Sequence, residues 1–353
     1  MTLGANIHIK KLDNIDYMTT NRIIIIGAGV AGLTIASNIN DCLILEARDR
    51  IGGRVYTNNK NIDEGAAWVH GVCDNPLTNL LLSDDLIPVA ECNPWMHSEN
   101  ANITFFTLTE EKRQALAEKW NALVSEIDGS TSIADAFSFF SEHDDMRSFL
   151  YMIEVWCGGS IKNLPISFLQ QPQCKSALFG DYAGSHCLFK KGAKTLIESL
   201  STNKKIICNQ IVVKIVYGRN EVEVHTREGV IYKCNKLCIT VPPGPLRDIE
   251  FDPPLKPEKT TALSHIKMGS YKKIQLEFDN VFWNDTPMIL TRNEKNEYML
   301  WNNYMVSKNI PILEAICPAE SGFQLSGRSD EEIVETVLDH LKLHFNHVPF
   351  PKS

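Results

Sequence analysis

Gly27, Gly29 and Gly32 stand in G-x-G-x-x-G spacing directly after the apolar run Ile23-Ile24-Ile25-Ile26, and Glu46 follows nineteen residues after Gly27. Glycines so spaced permit a tight turn, let a pyrophosphate approach the backbone, and let the next helix pack closely on the sheet. A helix starting near Val30 would turn its free N–H groups and positive dipole end toward those phosphates. A carboxylate at Glu46 can accept hydrogen bonds from a ribose. These residues have the chemistry to hold the ADP half of a dinucleotide, and the glycines alone leave open which dinucleotide it is.

The elements that must position them are legible around them. The β-branched run Ile23 to Ile26 suits a parallel strand buried on both faces, the helix is expected over roughly Val30 to Ile39, and a second strand over Cys42 to Leu45. Small residues at Gly65, Ala66 and Ala67 read as backbone lying against something flat. A helical pattern runs from Thr109 to Asp128, with Leu116, Trp120, Leu123 and Ile127 on one face; further helices are expected over Ser132 to Phe140 and Asp145 to Trp156. Short strands follow at Ile206 to Cys208, Ile211 to Val216, Glu221 to His225 and Leu237 to Val241. Lys273 to Phe278 alternates, with Ile274, Leu276 and Phe278 on one face and Lys273, Gln275 and Glu277 on the other. Ser329 to Glu332 is a capping box that opens a last amphipathic helix.

At 353 residues, two domains are the soft expectation. Hydrophobic content of 44% and charged content of 22% suit a globular protein, and the net charge of −8 argues against a nucleic-acid surface. No apolar run reaches the length of a membrane span, and the first twenty residues, read as a flexible tail, lack the apolar centre of a secretory signal. Ten cysteines are scattered without C-x-x-C pairs, which reads as reduced thiols in a cytoplasmic protein and gives no metal site. Without a secretory route, the glycosylation sequons at Asn102 and Asn284 carry no meaning.

Glu46-Ala47-Arg48-Asp49-Arg50-Ile51-Gly52-Gly53-Arg54 resembles the second signature of the flavin-containing amine oxidases, a family that includes monoamine oxidases, polyamine oxidases and flavin-dependent lysine demethylases. A guanidinium suits a pyrophosphate, and paired glycines let the chain pass close to it. Gly65-Ala66-Ala67-Trp68-Val69-His70-Gly71-Val72-Cys73, followed by Asn75-Pro76-Leu77, resembles the polyamine oxidase branch, especially members acting on spermine and acetylpolyamines. Gly184-Ser185-His186-Cys187-Leu188-Phe189-Lys190-Lys191-Gly192 resembles the strand by which the chain re-enters the FAD domain, and Asn209 to Val213 resembles the strand that contacts the adenine. Met268 to Phe278, with Phe282-Trp283, is similar to the strand that carries the family's active-site lysine, here Lys273 and not Lys272.

The resemblance implies FAD as cofactor. It implies Gly27, Gly29, Gly32, Glu46, Arg48, Gly53, Arg54, Ala67, Trp68 and Val212 as the residues binding it, and Lys273 and His70 as catalytic residues. The implied reaction is oxidation of an amine, expected to be a polyamine, by hydride transfer to the flavin, giving an imine or aldehyde and, with dioxygen, hydrogen peroxide. Lys273 would hold a water that assists imine hydrolysis or oxygen activation; by periodicity alone it would be a solvent-facing lysine. His70 can hydrogen-bond an amine or take its proton, and its competing role is structural. Asp63 and Glu64 could draw in a polycation or sit in a solvated turn, and Ser167 falls near where relatives line the substrate tunnel.

The expected fold is α/β: a Rossmann-like FAD-binding domain (21–95 and 184–246) interrupted by an α+β substrate-binding domain (96–183 and 247–353). The chain stops at Ser353, before the section with which family members continue, so the C-terminal part of the FAD domain is expected to be missing. A fragment, a chain completed by a second polypeptide, or a non-catalytic relative would each meet that expectation. Another FAD oxidoreductase of the superfamily, such as an amino-acid oxidase or carotenoid desaturase, is the remaining alternative. The partners expected are a small amine and dioxygen, with no nucleic acid and no membrane.

Overall fold

A computed structural model describes residues 20–81, 85–91, 122, 126–138, 144–169, 182, 184–293 and 297–353. The expected tail up to residue 19, most of the Thr109 to Asp128 helix and the Asn102 sequon lie outside these residues, while Thr20 begins the first strand. In chain order the strands are β1 (Thr20–Ile26), β2 (Leu43–Leu45), β3 (Trp68–Val69), β4 (Leu86–Glu91), β5 (Ser185–Phe189), β6 (Lys205–Ile207), β7 (Val212–Tyr217), β8 (Val222–Thr226), β9 (Ile231–Ile239), β10 (Glu250–Asp252), β11 (Tyr271–Glu277), β12 (Met288–Arg292), β13 (Tyr298–Asn303) and β14 (Ile312–Pro318). The chain gathers into two compact units, Met1–Ala67 with Lys191–Met268, and Trp68–Lys190 with Gly269–Ser353.

The first unit is built on a seven-stranded sheet in the order β10-β7-β8-β9-β1-β2-β6. β1 lies inside it, parallel to β2 on one side and to β9 on the other. That placement explains its sequence: Ile24, Ile25 and Ile26 are all buried, as a strand covered on both faces requires. Helix Val30–Ser37 connects β1 to β2 and buries Gly32, Leu33 and Ala36. Ile24, Ile26, Leu43, Leu45, Val212, Ile215 and Val224 pack together as the unit's core.

The second unit holds a four-stranded antiparallel sheet, β11-β14-β13-β12, and a three-stranded sheet, β3-β5-β4. Helix Asp330–Lys342 starts with the expected capping box, Ser329 and Glu332 each satisfying the other's backbone N–H. Its Val337, Leu338 and Leu341 join Leu276, Phe278, Trp301, Leu313 and Ala315 in one core. Helix Asp144–Cys157 packs Met152 and Val155 on Leu300 and Ile316, and its Tyr151 hydroxyl donates to the Ile316 carbonyl and accepts the Leu300 N–H. The helix expected over Ser132 to Phe140 is shorter, Ile133–Ala136, with Ser132 as its N-cap. Among the described residues no helix is long and apolar enough to cross a membrane.

Candidate functional site

The glycine turn follows directly from the end of β1. Gly27 has φ +101°, and a side chain there would also press on the Thr240 hydroxyl. A Cβ on Gly32 would sit 2.0 Å from the Gly27 carbonyl oxygen, so that glycine is fixed by helix-to-turn packing. Gly29 differs from both: it is extended (φ −80°, ψ −179°), and a Cβ there would meet no atom within 4 Å. It is also the N-cap of helix Val30–Ser37, with no side chain capping the helix and no acid in its first turn. The open space beside Gly29 therefore faces uncapped N–H donors and the positive helix end.

Glu46 leaves β2 directly beside this turn. It is buried, and its carboxylate accepts the Ala28 N–H at 2.8 Å through Oε2 and the Arg48 N–H at 3.0 Å through Oε1. A carboxylate has about four lone-pair sites, so two acceptors remain for hydroxyl donors such as those of a ribose. The arm that follows folds back over the turn. Gly52 donates its N–H to the Ala28 carbonyl at 2.8 Å, and a Cβ on Gly53 would come within 3.4 Å of the Gly29 Cα. Both glycines have positive φ, +99° and +60°.

Arg48 and Arg54 are exposed, and among the described residues their side chains make no hydrogen bond or ion pair. It is Arg50 that ties the arm down, donating to the Gly53 carbonyl at 3.0 Å with its guanidinium 4.6 Å from the Tyr56 ring centroid. Sequence reasoning missed Arg50, because an arginine six residues from a tyrosine is not a signal. Val212 opens β7, is buried, and follows Asn209 and Gln210, whose N–H groups bond the Arg48 and Glu46 carbonyls. Ala67 is buried as well. The flat partner expected for Gly65 is the chain itself: a Cβ there would lie 2.1 Å from the Arg54 carbonyl oxygen. Asp63 is buried and accepts the Thr57 hydroxyl and the Ala193 N–H, which makes it a structural acid rather than a lure for polycations.

In the second unit, Trp68 and Val69 form β3 against Leu188 and Cys187 of β5, which brings His70 to His186. Their Nδ1 atoms are 3.1 Å apart, so one ring donates and the other accepts. His70 also stands 4.6 Å from Trp156, centroid to centroid. His70 is exposed as a residue, with the Trp156 and His186 rings lying against its imidazole. Burial, and then His186, lowers its pKa to about 4; burial lowers that of His186 to about 4. Such an imidazole is neutral at pH 7, which suits it to orient an amine by hydrogen bonding and not to take the amine's proton. The Gly184 to Gly192 motif by itself gives the His186 ring no role, and Trp156 carries no signal beyond helical periodicity.

Lys273 on β11 lies opposite Ile316 of β14, and Gln275 opposite Glu314. The Lys273 side chain is only 8% exposed, with Nζ 3.3 Å from Glu314 Oε1. It is thus not the solvent-facing lysine that alternation alone would give. Ser167 donates its N–H to the Gly129 carbonyl in a turn. Among the described residues no group of His, Cys, Asp and Glu is placed to hold a metal ion.

A parallel strand, glycine turn, helix, strand and ribose-competent acid, in one α/β unit, define a nucleotide-binding protein. The family model described as flavin containing amine oxidoreductase matches residues 30–148 and 175–353, and the chain belongs to that family. Its cofactor is accordingly FAD, and the open cradle at Gly29, with the two acceptor sites of Glu46 and the Arg48 and Arg54 guanidiniums that have no partner among the described residues, fits a flavin dinucleotide. The chain is 26% identical to probable polyamine oxidase 4 of Arabidopsis thaliana, over 93% of this chain and 72% of that one. It is 28% identical to polyamine oxidase 4 of Oryza sativa subsp. japonica, over 91% and 72%. Similarity extends to lysine-specific histone demethylase 1 homolog 3 of the same rice, 25% identical over 91% of this chain and 43% of the relative.

Proposed function

We propose that this chain is an FAD-dependent polyamine oxidase. The observation that carries the reading is the open cradle at Gly29 walled by Glu46 and the Gly52-Gly53 arm, in a chain whose relatives include several polyamine oxidases. Bound FAD supplies the hydride acceptor for the carbon beside the amine nitrogen, with dioxygen as final oxidant and an imine and hydrogen peroxide as products.

The chain's own residues do the rest. The first-turn N–H groups of helix Val30–Ser37, with Arg48 and Arg54, hold the diphosphate, and Glu46 holds the adenosine ribose. Val212, Gly53, Ala67 and Trp68 complete the cofactor's surroundings. Neutral His70, backed by His186 and Trp156, orients the amine. Lys273 offers a fixed cation for the water that hydrolyses the imine.

The test is the visible spectrum of the purified protein. A flavin band that bleaches anaerobically with spermine or N-acetylspermine, and peroxide release on readmitting air, is the expected result. Colourless protein that takes up no FAD on reconstitution overturns the reading. Bound flavin that never bleaches leaves a binding protein, and bleaching by amino acids or methyl-lysine peptides alone reassigns the substrate.

A further inference from the structure

β14 is buried along its whole length, and Glu314 is the one charged residue in its run Ile312-Leu313-Glu314-Ala315-Ile316-Cys317-Pro318. The carboxylate is fully buried and is met by four donors. Oε2 accepts the Gln275 Nε2 at 2.7 Å and the Tyr304 hydroxyl at 3.3 Å. Oε1 accepts the Asn302 Nδ2 at 2.8 Å and lies 3.3 Å from the Lys273 Nζ. About four lone-pair sites are all a carboxylate has, so Glu314 has no capacity left for a substrate amine.

We propose that Glu314 is the positioning residue of Lys273, a buried counter-ion that fixes where the lysine's ammonium stands. The register provides the geometry. Lys273 and Gln275 project from one face of β11, Glu314 is the cross-strand partner of Gln275, and Asn302 on β13 is the partner of Glu314 on its other side. Gln275, Asn302 and Tyr304 hold the carboxylate, and the carboxylate holds the ammonium.

Stability does not account for such a pair. A buried ion pair is at best about neutral against apolar residues of the same volume, and this strand is otherwise apolar. What the pair supplies is a cation held in one place by an acid that cannot move. The anchoring stands on this geometry alone; its consequence for turnover rests on the function proposed above.

The experiment labels the full-length protein with an amine-reactive ester and maps each lysine by mass spectrometry, alongside steady-state oxidation of spermine by the flavin-loaded protein. Lys272, the neighbour on the same strand, is the internal standard. In the wild type Lys273 is expected to label at least ~10-fold more slowly than Lys272, because its amine is buried and paired. Glu314→Gln keeps the shape and one acceptor oxygen toward Asn302 and Lys273, while the Gln275 amide can flip to meet the new NH2 group. That variant should label at Lys273 several-fold faster, and should lose about 10-fold or more in kcat with KM and flavin content unchanged.

Equal labelling of Lys272 and Lys273 in the wild type overturns the proposal without any variant. So does a folded Glu314→Gln protein whose Lys273 labelling or kcat is unchanged, or one whose kcat, KM and flavin content fall together with its melting temperature. Should Glu314→Gln fail to fold, the charge-free pair Lys273→Met with Glu314→Leu is expected to fold and to turn over no better than Lys273→Met alone; a faster double variant overturns the anchor. A chain that binds no flavin ends the polyamine oxidase reading, and the labelling then decides the anchor by itself.

Discussion

The Glu46 carboxylate binds the Ala28 N–H at 2.8 Å, so the acid at the end of the second strand closes the turn at the end of the first. The bond makes one object of two motifs that are separate in sequence. It also gives Glu46 two jobs, one in the bare protein and one toward the ribose. Glu46→Ala should leave the buried Ala28 N–H without its acceptor and cost ~1–3 kcal/mol, and should also release the flavin. Glu46→Gln keeps one acceptor oxygen and should cost less stability while still weakening flavin retention. Urea midpoints and the flavin-to-protein ratio after gel filtration, measured together, check both.

Asn303 concentrates more hydrogen bonding than any motif near it would suggest. Its Oδ1 accepts the Trp283 indole N–H and the Met305 N–H, at 2.9 and 3.0 Å, and its Nδ2 donates to the Asn284 and Thr286 carbonyls. It is 2% exposed. Asn303→Ala should destabilise the chain by ~3 kcal/mol or more, since several buried groups lose partners at once. Chemical denaturation reads this directly, and a loss under ~1 kcal/mol would show that water replaces the amide.

The two facing imidazoles set a pH dependence. Both His70 and His186 have values lowered to about 4 in the folded protein against an ordinary 6.5. Between those values the unfolded chain binds more protons, so stability falls as the solution is acidified. The contribution is complete above about pH 6.5 and is lost as pH drops through about 4. Urea midpoints followed across that window should decline in the wild type, and less steeply in His186→Asn. An unchanged slope in the variant would assign the acid sensitivity to other groups.

How much of this was legible beforehand depends on whether the determinant is local. The turn, the arm and the strand with Lys273 are local: glycine spacing, a β-branched run and period-two alternation carry them, and Ile24 to Ile26 are buried as such a run demands. Partners brought together across the fold were not legible. Nothing in Gly-Ser-His says that His186 meets a ring 116 positions earlier, and nothing around Lys273 says that Glu314 waits on a neighbouring strand. A signal for Glu314 did exist, since a lone acid in an apolar seven-residue run must find donors or neutralise. Gly65 is an intermediate case: its small size signals a close approach, but not that the neighbour is the Arg54 backbone of the same chain.

Gly29 and Gly32 are alike in sequence and opposite in what surrounds them, which separates folding from binding. An Ala at Gly32 would put its Cβ 2.0 Å from the Gly27 carbonyl oxygen, and backbone on backbone has no side chain to swing away. Gly32→Ala must therefore move the helix off the turn, and should lower the melting temperature and abolish flavin binding together. An Ala at Gly29 meets nothing within 4 Å, and its extended backbone suits any residue. Less freedom in the unfolded chain favours the Ala, while the N-cap position prefers Gly over Ala, so the two offset to within ~1 kcal/mol. The methyl nevertheless stands in the open space assigned to the diphosphate, so this variant should be as stable as the wild type and fail to retain FAD. Melting curves of the bare proteins with flavin titrations check the pair, and a Gly29→Ala protein that binds FAD at full strength would place the diphosphate elsewhere.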